Sequence, residues 1–196
     1  MHKMIRKEQR QFEILSSLAK LDYLTRSQIQ TLHKLGSNRN ASRVMSELSD
    51  YVSYFRDNQH VYYLNKEGRE LVGCTKVRKR TIQARHYIMR NSLYIAFGCP
   101  ASWESEMRLE IPKQVKVVCD ALFKVGDRYN IVEIDHTQKM SVNKVKMNKY
   151  RKLIDLGAFS KSPKFVWMTT TEYRRKQIEK ICEGLVFQVF TAQDFL

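Results

Sequence analysis

VVCDALFKVGDRYNIVEIDHTQKMSVNKVKMNKY, residues 117–150, reads as a tight hairpin followed by a helix. Gly126-Asp127 has the composition of a two-residue turn with glycine first. Such a turn pairs Val125 with Arg128, and stepping back along both strands sets Asp120 opposite Glu133. Side chains alternate between the faces of a strand, so Asp135 shares the face of Glu133. Directly opposed like charges destabilise a sheet by about 0.2–1 kcal/mol, and acids so placed call for a cation. Asp120, Glu133 and Asp135 are therefore candidate metal ligands. In the helix that follows, Val142, Val145, Tyr150 and Leu153 are predicted to face inward, with Lys146 and Tyr150 one turn apart beside them. Lys146 becomes the candidate catalytic cation. Glu104 and Glu106 alternate along a strand predicted from Trp103 to Ile111, and Glu106 is a candidate further ligand.

Beyond the hairpin, Val142–Leu156 is predicted helical, Phe165–Thr169 a short apolar strand, Glu172–Glu183 a helix stopped by Gly184, and Val186–Phe190 a last strand. With a helix over residues 82–97 in front, drawing an apolar side from Ile82, Tyr87, Ile88, Leu93, Tyr94 and Phe97, the order is αβββαβαβ. An antiparallel hairpin joined to strands that return through helices predicts a mixed sheet with helices on its faces.

The first seventy residues have a different grammar. Ile5–Lys20 places Ile5, Phe12, Leu15, Leu18 and Ala19 near one helical stripe. Thr25-Arg26-Ser27-Gln28 is a capping box opening a second helix. Gly36 ends that helix, and Ser37 or Asn38 caps a third, over residues 39–50, with Ala41, Val44, Leu48 and Tyr51 at helical spacing. Residues 51–56 and 59–64 then form a hairpin around Asp57-Asn58, and Asn65 caps a short helix. Three helices followed by a hairpin predict a winged helix-turn-helix. In that architecture the third helix enters the major groove, and arginine and asparagine read guanine and adenine. Asn38, Arg39, Asn40 and Arg43 on the helix, and Asn58 and His60 at the wing, are candidate DNA contacts. The same fold also serves protein contacts. Residues 75–90, TKVRKRTIQARHYIMR, are the sharpest concentration of positive charge, read either as a phosphate-contacting segment through Arg78, Lys79 and Arg80 or as a solvated basic face.

The whole is thus an α+β chain: a winged helix-turn-helix over 1–74, a basic linker and helix over 75–98, and a mixed-sheet α/β domain over 99–196. A net charge of +15 and a pI near 9.8 point to a polyanionic partner, most simply double-stranded DNA. Four cysteines without a CxxC pair suit buried free thiols of the cytoplasm and argue against a structural zinc. The charged N-terminus lacks the apolar run of a signal peptide or a membrane span. No Gly-rich phosphate loop or nucleophile motif surrounds Ser141, Ser160 or Ser162, His86 and His136 stand alone, and no His-rich relaxase metal motif is present.

Asp120 on one strand, Glu133-x-Asp135 on the next and a helix carrying Lys146 and Tyr150 resemble the PD-(D/E)XK nuclease fold. More narrowly, the chain resembles the replication-relaxation family of plasmids, phages and related mobile elements. The residues concerned are the winged helix, a helix with His86 to Asn91, the Trp103-Glu104-Ser105-Glu106 strand, the Asp120-Ala121 hairpin and the Glu-x-Asp step. The resemblance implies a DNA-binding protein serving replication, relaxation or mobilisation, with a nuclease-like second domain that is a scaffold, a homodimerisation surface or a platform for replication or relaxosome proteins. Two alternatives stay open, a magnesium-dependent endonuclease and a transcriptional regulator. DNA binding needs no cofactor; cleavage would need Mg2+. The chain departs from the nuclease pattern at Cys119, where that motif has proline, and at Asp135, where it has lysine.

Overall fold

The chain opens with helix α1 (His2–Leu21) in a computed structural model that describes residues 2–195. Its C-terminal half buries Ile14, Leu15, Leu18 and Leu21, whereas Ile5 and Phe12, expected on the same stripe, are exposed. A short strand β1 (Leu24–Thr25) leads into α2 (Arg26–Leu32), opened by the expected capping box. Thr25 Oγ1 accepts from the Gln28 amide at 3.2 Å while Gln28 Oε1 accepts from the Thr25 amide at 3.1 Å. Ser37 caps α3 (Asn38–Ser46), which buries Ala41, Val44 and Met45. Strands β2 (Val52–Asp57) and β3 (Gln59–Leu64) pair antiparallel around Asn58 at φ 61°, and β1 adds to β3 to give the order β1-β3-β2. Asn65 caps α4 (Lys66–Leu71) through the Gly68 amide.

The basic segment is anchored rather than slung as a linker. Asp22, 3% exposed, receives Arg78 at 2.8 Å, Arg90 at 3.3 Å and Lys76 at 3.5 Å. The Tyr23 hydroxyl donates to the Lys79 carbonyl at 2.7 Å, and the Arg80 guanidinium lies over the Phe55 ring. Tyr23, Val61 and Ala84 form a small core with Phe55, Tyr63, Tyr87 and Ile88 against the inner face of the hairpin. Ile82, expected on the apolar side of the next helix, is 91% exposed because α5 (Ala84–Ala96) begins after it. The chain divides into two compact units inside this helix, Met1–Asn91 and Ser92–Leu196, so residues 75–91 fall with the first.

In the second unit the strand expected over 103–111 is broken. Glu106 takes φ 58°, separating β4 (Glu104–Ser105) from β5 (Arg108–Ile111). The strand expected over 117–125 likewise breaks at Cys119-Asp120 into β6 (Val115–Val118) and β7 (Ala121–Val125). The interruption lets β5 and β6 pair as a separate hairpin, while β7 joins β8 (Arg128–Asp135) in the expected register, Val125 opposite Arg128. Then follow α6 (Met140–Asp155), β9 (Lys164–Thr169), α7 (Glu172–Cys182), β10 (Val186–Thr191) and a 3-10 turn, Ala192–Phe195.

The main sheet is mixed, in the order β10-β9-β8-β7-β4, with β8, β9 and β10 parallel and β7 and β4 antiparallel to their neighbours. On one face Ile131, Phe165, Trp167 and Val189 pack with Met147, Tyr150 and Leu153 of α6 and Ile178 and Cys182 of α7. On the opposite face Phe123 stacks on Trp103, centroids 5.4 Å apart, and meets Phe97. Val142 and Val145, expected inward, are 49% and 57% exposed, and α6 instead presents Asn143, Met147, Tyr150 and Leu153. The helix is rotated toward a polar contact that hydrophobic periodicity does not report.

Gly68 is the tightest backbone approach, since a Cβ there would lie 2.0 Å from the Tyr51 carbonyl oxygen. Overpacking of this kind costs about 1–3 kcal/mol or more. Gly68→Ala is expected to lower the urea midpoint of the first unit with no change in slope, and an unchanged midpoint would show that α4 shifts freely.

Candidate functional site

Strand β8 carries Glu133 and Asp135 on the face that α6 and α7 cover, and both are buried, at 1% and 0% exposure. A buried carboxylate needs a charge partner and hydrogen bonds to both oxygens. Glu133 obtains them from α6: Lys146 Nζ donates to Oε2 at 2.5 Å and the Tyr150 hydroxyl donates to Oε1. Burial and the neighbouring Asp120 push the Glu133 carboxyl well above its usual range, against the opposing pull of Lys146 and Tyr150. Burial alone would lower the Lys146 ammonium, but Glu133 and Asp120 outweigh it and hold it above its ordinary value. Burial and Glu133 raise the Tyr150 phenol.

Asp120 sits at the break before β7. Its amide donates to the Val132 carbonyl, and its Oδ2 accepts from the Ile134 amide at 2.7 Å. Asp120, Glu133 and Lys146 thus converge. Asp135 belongs to a different cluster. Arg174, in the first turn of α7, grips it with two bonds of 2.6 Å, Asn143 donates to Oδ1 and Thr169 to Oδ2, each at 2.7 Å. Burial raises the Asp135 carboxyl, yet the bonds from Arg174, Thr169 and Asn143 win and leave it below the usual range. Glu106 is exposed at the corner between β4 and β5, its amide donating to the Asp120 carbonyl. Burial, aided by Glu133, pushes the Cys119 thiol up to about 12. Cys182 is buried too, while Cys74 and Cys99 are only half-buried.

Magnesium requires several oxygen ligands at about 2.0–2.1 Å and retains water. Each oxygen of Glu133 and Asp135 already accepts from a side chain, both residues lie out of reach of solvent, and Lys146 fills the space beside Glu133. Among the described residues, no group of three or more His, Cys, Asp or Glu is arranged to hold an ion. The donor set does not fit Mg2+.

In the first unit, α3 turns Arg39, Ser42, Arg43 and Ser46 outward, opposite its buried Ala41, Val44 and Met45. Asn38 is exposed at its first turn. Asn40 braces the helix start instead: its Nδ2 donates to the Leu35 carbonyl at 2.7 Å, and its Oδ1 accepts from Arg43 at 2.8 Å. Arg43 also pairs with Glu47 at 2.5 Å. Arg26 at the start of α2 donates to Ser42 Oγ at 3.4 Å. On the hairpin, Asn58 and His60 are exposed, and the Tyr54 ring, 60% exposed, packs against His60 with centroids 4.7 Å apart. The turn is fixed from behind by Arg85, which grips Asp57 at 2.5 and 2.7 Å. Arg78 is committed to Asp22, while Lys79 and Arg80 are exposed.

Asn143, Thr169 and Arg174 around Asp135, Arg26 bonded to Ser42 of α3, and Tyr54 on the hairpin were not among the expected site residues. Only Tyr54 had a legible signal, an aromatic residue alternating with polar ones in a hairpin strand. Asp135 gives a stability term with a defined sign. A carboxylate depressed in the folded state stabilises it above its unfolded pKa, about 3.9, and that contribution disappears as pH falls through the lower folded value. Arg174→Gln is expected to cost about 3–5 kcal/mol at neutral pH by leaving Asp135 buried and unpaired. The deficit in urea unfolding should shrink below about pH 4, as Asp135 protonates; a deficit independent of pH would remove Asp135 from the account.

No curated protein matches the chain. A solved structure, protein VC1899 from Vibrio cholerae, is similar over 93% of this chain and 52% of its own, at 12% identity and a TM-score of 0.37, so this chain spans about half the length of that protein. Among the described residues no helix is long and apolar enough to cross a membrane. The model of one protein family, described as replication-relaxation, matches residues 15–166, most of both units, and the chain belongs to the replication-relaxation family.

Proposed function

We propose that this protein binds double-stranded DNA in the cytoplasm, in the replication, relaxation or mobilisation of a mobile element. On this reading the first unit is a winged helix with α3 in the major groove and the β2–β3 hairpin as the wing. The second unit, a PD-(D/E)XK-like sheet, is a scaffold or a platform for a second copy or for replication and relaxosome proteins. The observation that carries the reading is the outward face of α3, where Arg39, Ser42 and Ser46 are exposed and Arg26 bonds Ser42; the hairpin of the same unit exposes Tyr54, Arg56 and His60. Charge distribution supports it. Residues 1–91 hold 18 of the 35 lysines and arginines and 8 of the 20 acids, so about two thirds of the net positive charge resides in the first unit. Membership of the replication-relaxation family supports the biological setting.

The donor set supports the scaffold role. Glu133 and Asp135 hold α6 and α7 to the sheet through Lys146 and Arg174, which leaves neither acid open to a divalent ion. A metal-supplemented assay on supercoiled and linear DNA is expected to show no cleavage; nicking abolished by both Asp120→Ala and Glu133→Ala would establish the endonuclease instead.

Selection from random duplexes supplies the preferred sequence for the binding test. Arg39→Ala is expected to lose about 1–3 kcal/mol of discrimination between preferred and random duplex. Lys79→Ala with Arg80→Ala should weaken both equally and flatten the salt dependence. Identical binding by all three proteins would overturn the assignment of the DNA face.

A further inference from the structure

The N-terminal half of α1 and the edge of α3 between exposed Arg43 and buried Val44 line a concavity of about 330 Å3. Arg6, Lys7 and Arg10 line it from α1, and Arg43 and Glu47 line it from α3. Arg6 and Arg10 are four residues apart, neighbours on one helical face about 6 Å apart along the axis. Glu47 sets the geometry of the rest. It accepts from Lys7 at 3.0 Å and from Arg43 at 2.5 Å, drawing a cation from each helix to the same wall. The hydrogen bond from Lys7 outweighs burial and, with Arg43, holds the Glu47 carboxyl below its usual range, so the carboxylate persists at neutral pH. Four cations therefore face one anion across a hollow, and the surplus is positive.

We infer that this concavity is a phosphate-binding site, and that it takes a phosphodiester of the DNA backbone beside the groove that α3 enters. The inference rests on the DNA-binding reading and adds to it an interaction made by α1. Arg43 supplies the continuity, because it belongs both to the outward face of α3 and to the wall of the concavity. The chemistry matches: arginine pairs with phosphate oxygens bidentately, and a concave cluster of cations concentrates potential more than the same charges on a convex face. A phosphate bound here carries no sequence information and fixes how the protein sits on the duplex.

The test is the full-length Arg6→Ala, Arg10→Ala double variant, titrated against a random-sequence duplex and against the preferred duplex over a range of salt concentrations. Both residues are exposed, so the thermal midpoint is expected to stay at the wild-type value. Affinity should fall by the same factor for both duplexes, and the slope of log K against log salt should drop by about 0.9 for each phosphate no longer neutralised. Arg6→Lys with Arg10→Lys, which keeps the charge, should restore most of the slope. Unchanged affinity and slope in the alanine variant, with wild type binding DNA, would overturn the phosphate site and leave the α3 reading standing. Wild-type protein that binds neither duplex would overturn both.

Discussion

The second unit depends on the need to neutralise two carboxylates buried side by side on β8. Glu133 and Asp135 point to the covered face of the sheet, and an isolated charge there is prohibitively expensive. The two covering helices supply one cation each, Lys146 from α6 and Arg174 from α7. Helix α6 must therefore present Asn143, Lys146 and Tyr150 to the sheet, which turns Val142 and Val145 out to solvent. Removing one partner from such a pair costs more than the intact pair contributes, so the acids constrain rotation and depth of both helices more sharply than the apolar packing does. We regard this as a hypothesis of specificity; apolar replacement of the whole Asp135 cluster that still gave one sharp unfolding transition would argue against it.

The first unit repeats the device on a smaller scale. Asp22, buried after α1, gathers Arg78, Lys76 and Arg90, and so draws the chain that follows the hairpin back across Tyr23 and Phe55. A segment that composition alone describes as a basic linker is in this way part of the unit's packing. Part of the basicity of the chain is thus internal. Arg78, Arg90, Lys146 and Arg174 answer buried acids, and Arg85 secures the hairpin turn.

These interactions also mark where the sequence was legible. The capping box at Thr25 and the caps at Ser37 and Asn65 are local, encoded within four residues, and they place α2, α3 and α4. The Gly126-Asp127 turn fixes a register by counting, and the pairs from Val125–Arg128 to Ala121–Val132 followed from the chain itself, whereas Asp120, expected opposite Glu133, lies just past the ladder with its carboxylate on the Ile134 amide. What failed was non-local. Nothing within ten residues of Asp135 announces that Arg174, in another helix, will hold it, and without that partner the third acid reads as a ligand. The breaks at Glu106 and Cys119-Asp120 were equally hidden, since the β-propensity of the flanking residues continues through them.

The chain holds two kinds of paired arginine. A side chain whose partner is a buried acid is already committed, because releasing it would expose an unpaired charge inside the protein. A side chain paired with an exposed acid is not, because surface pairs are worth about 0–1 kcal/mol and exchange readily for a better anion. Arg43 is nearer the second kind: it is exposed, and its partner Glu47 is half-buried at the end of the same helix rather than enclosed in the core. Glu47 draws Lys7 of α1 and Arg43 of α3 to one wall without enclosing either of them.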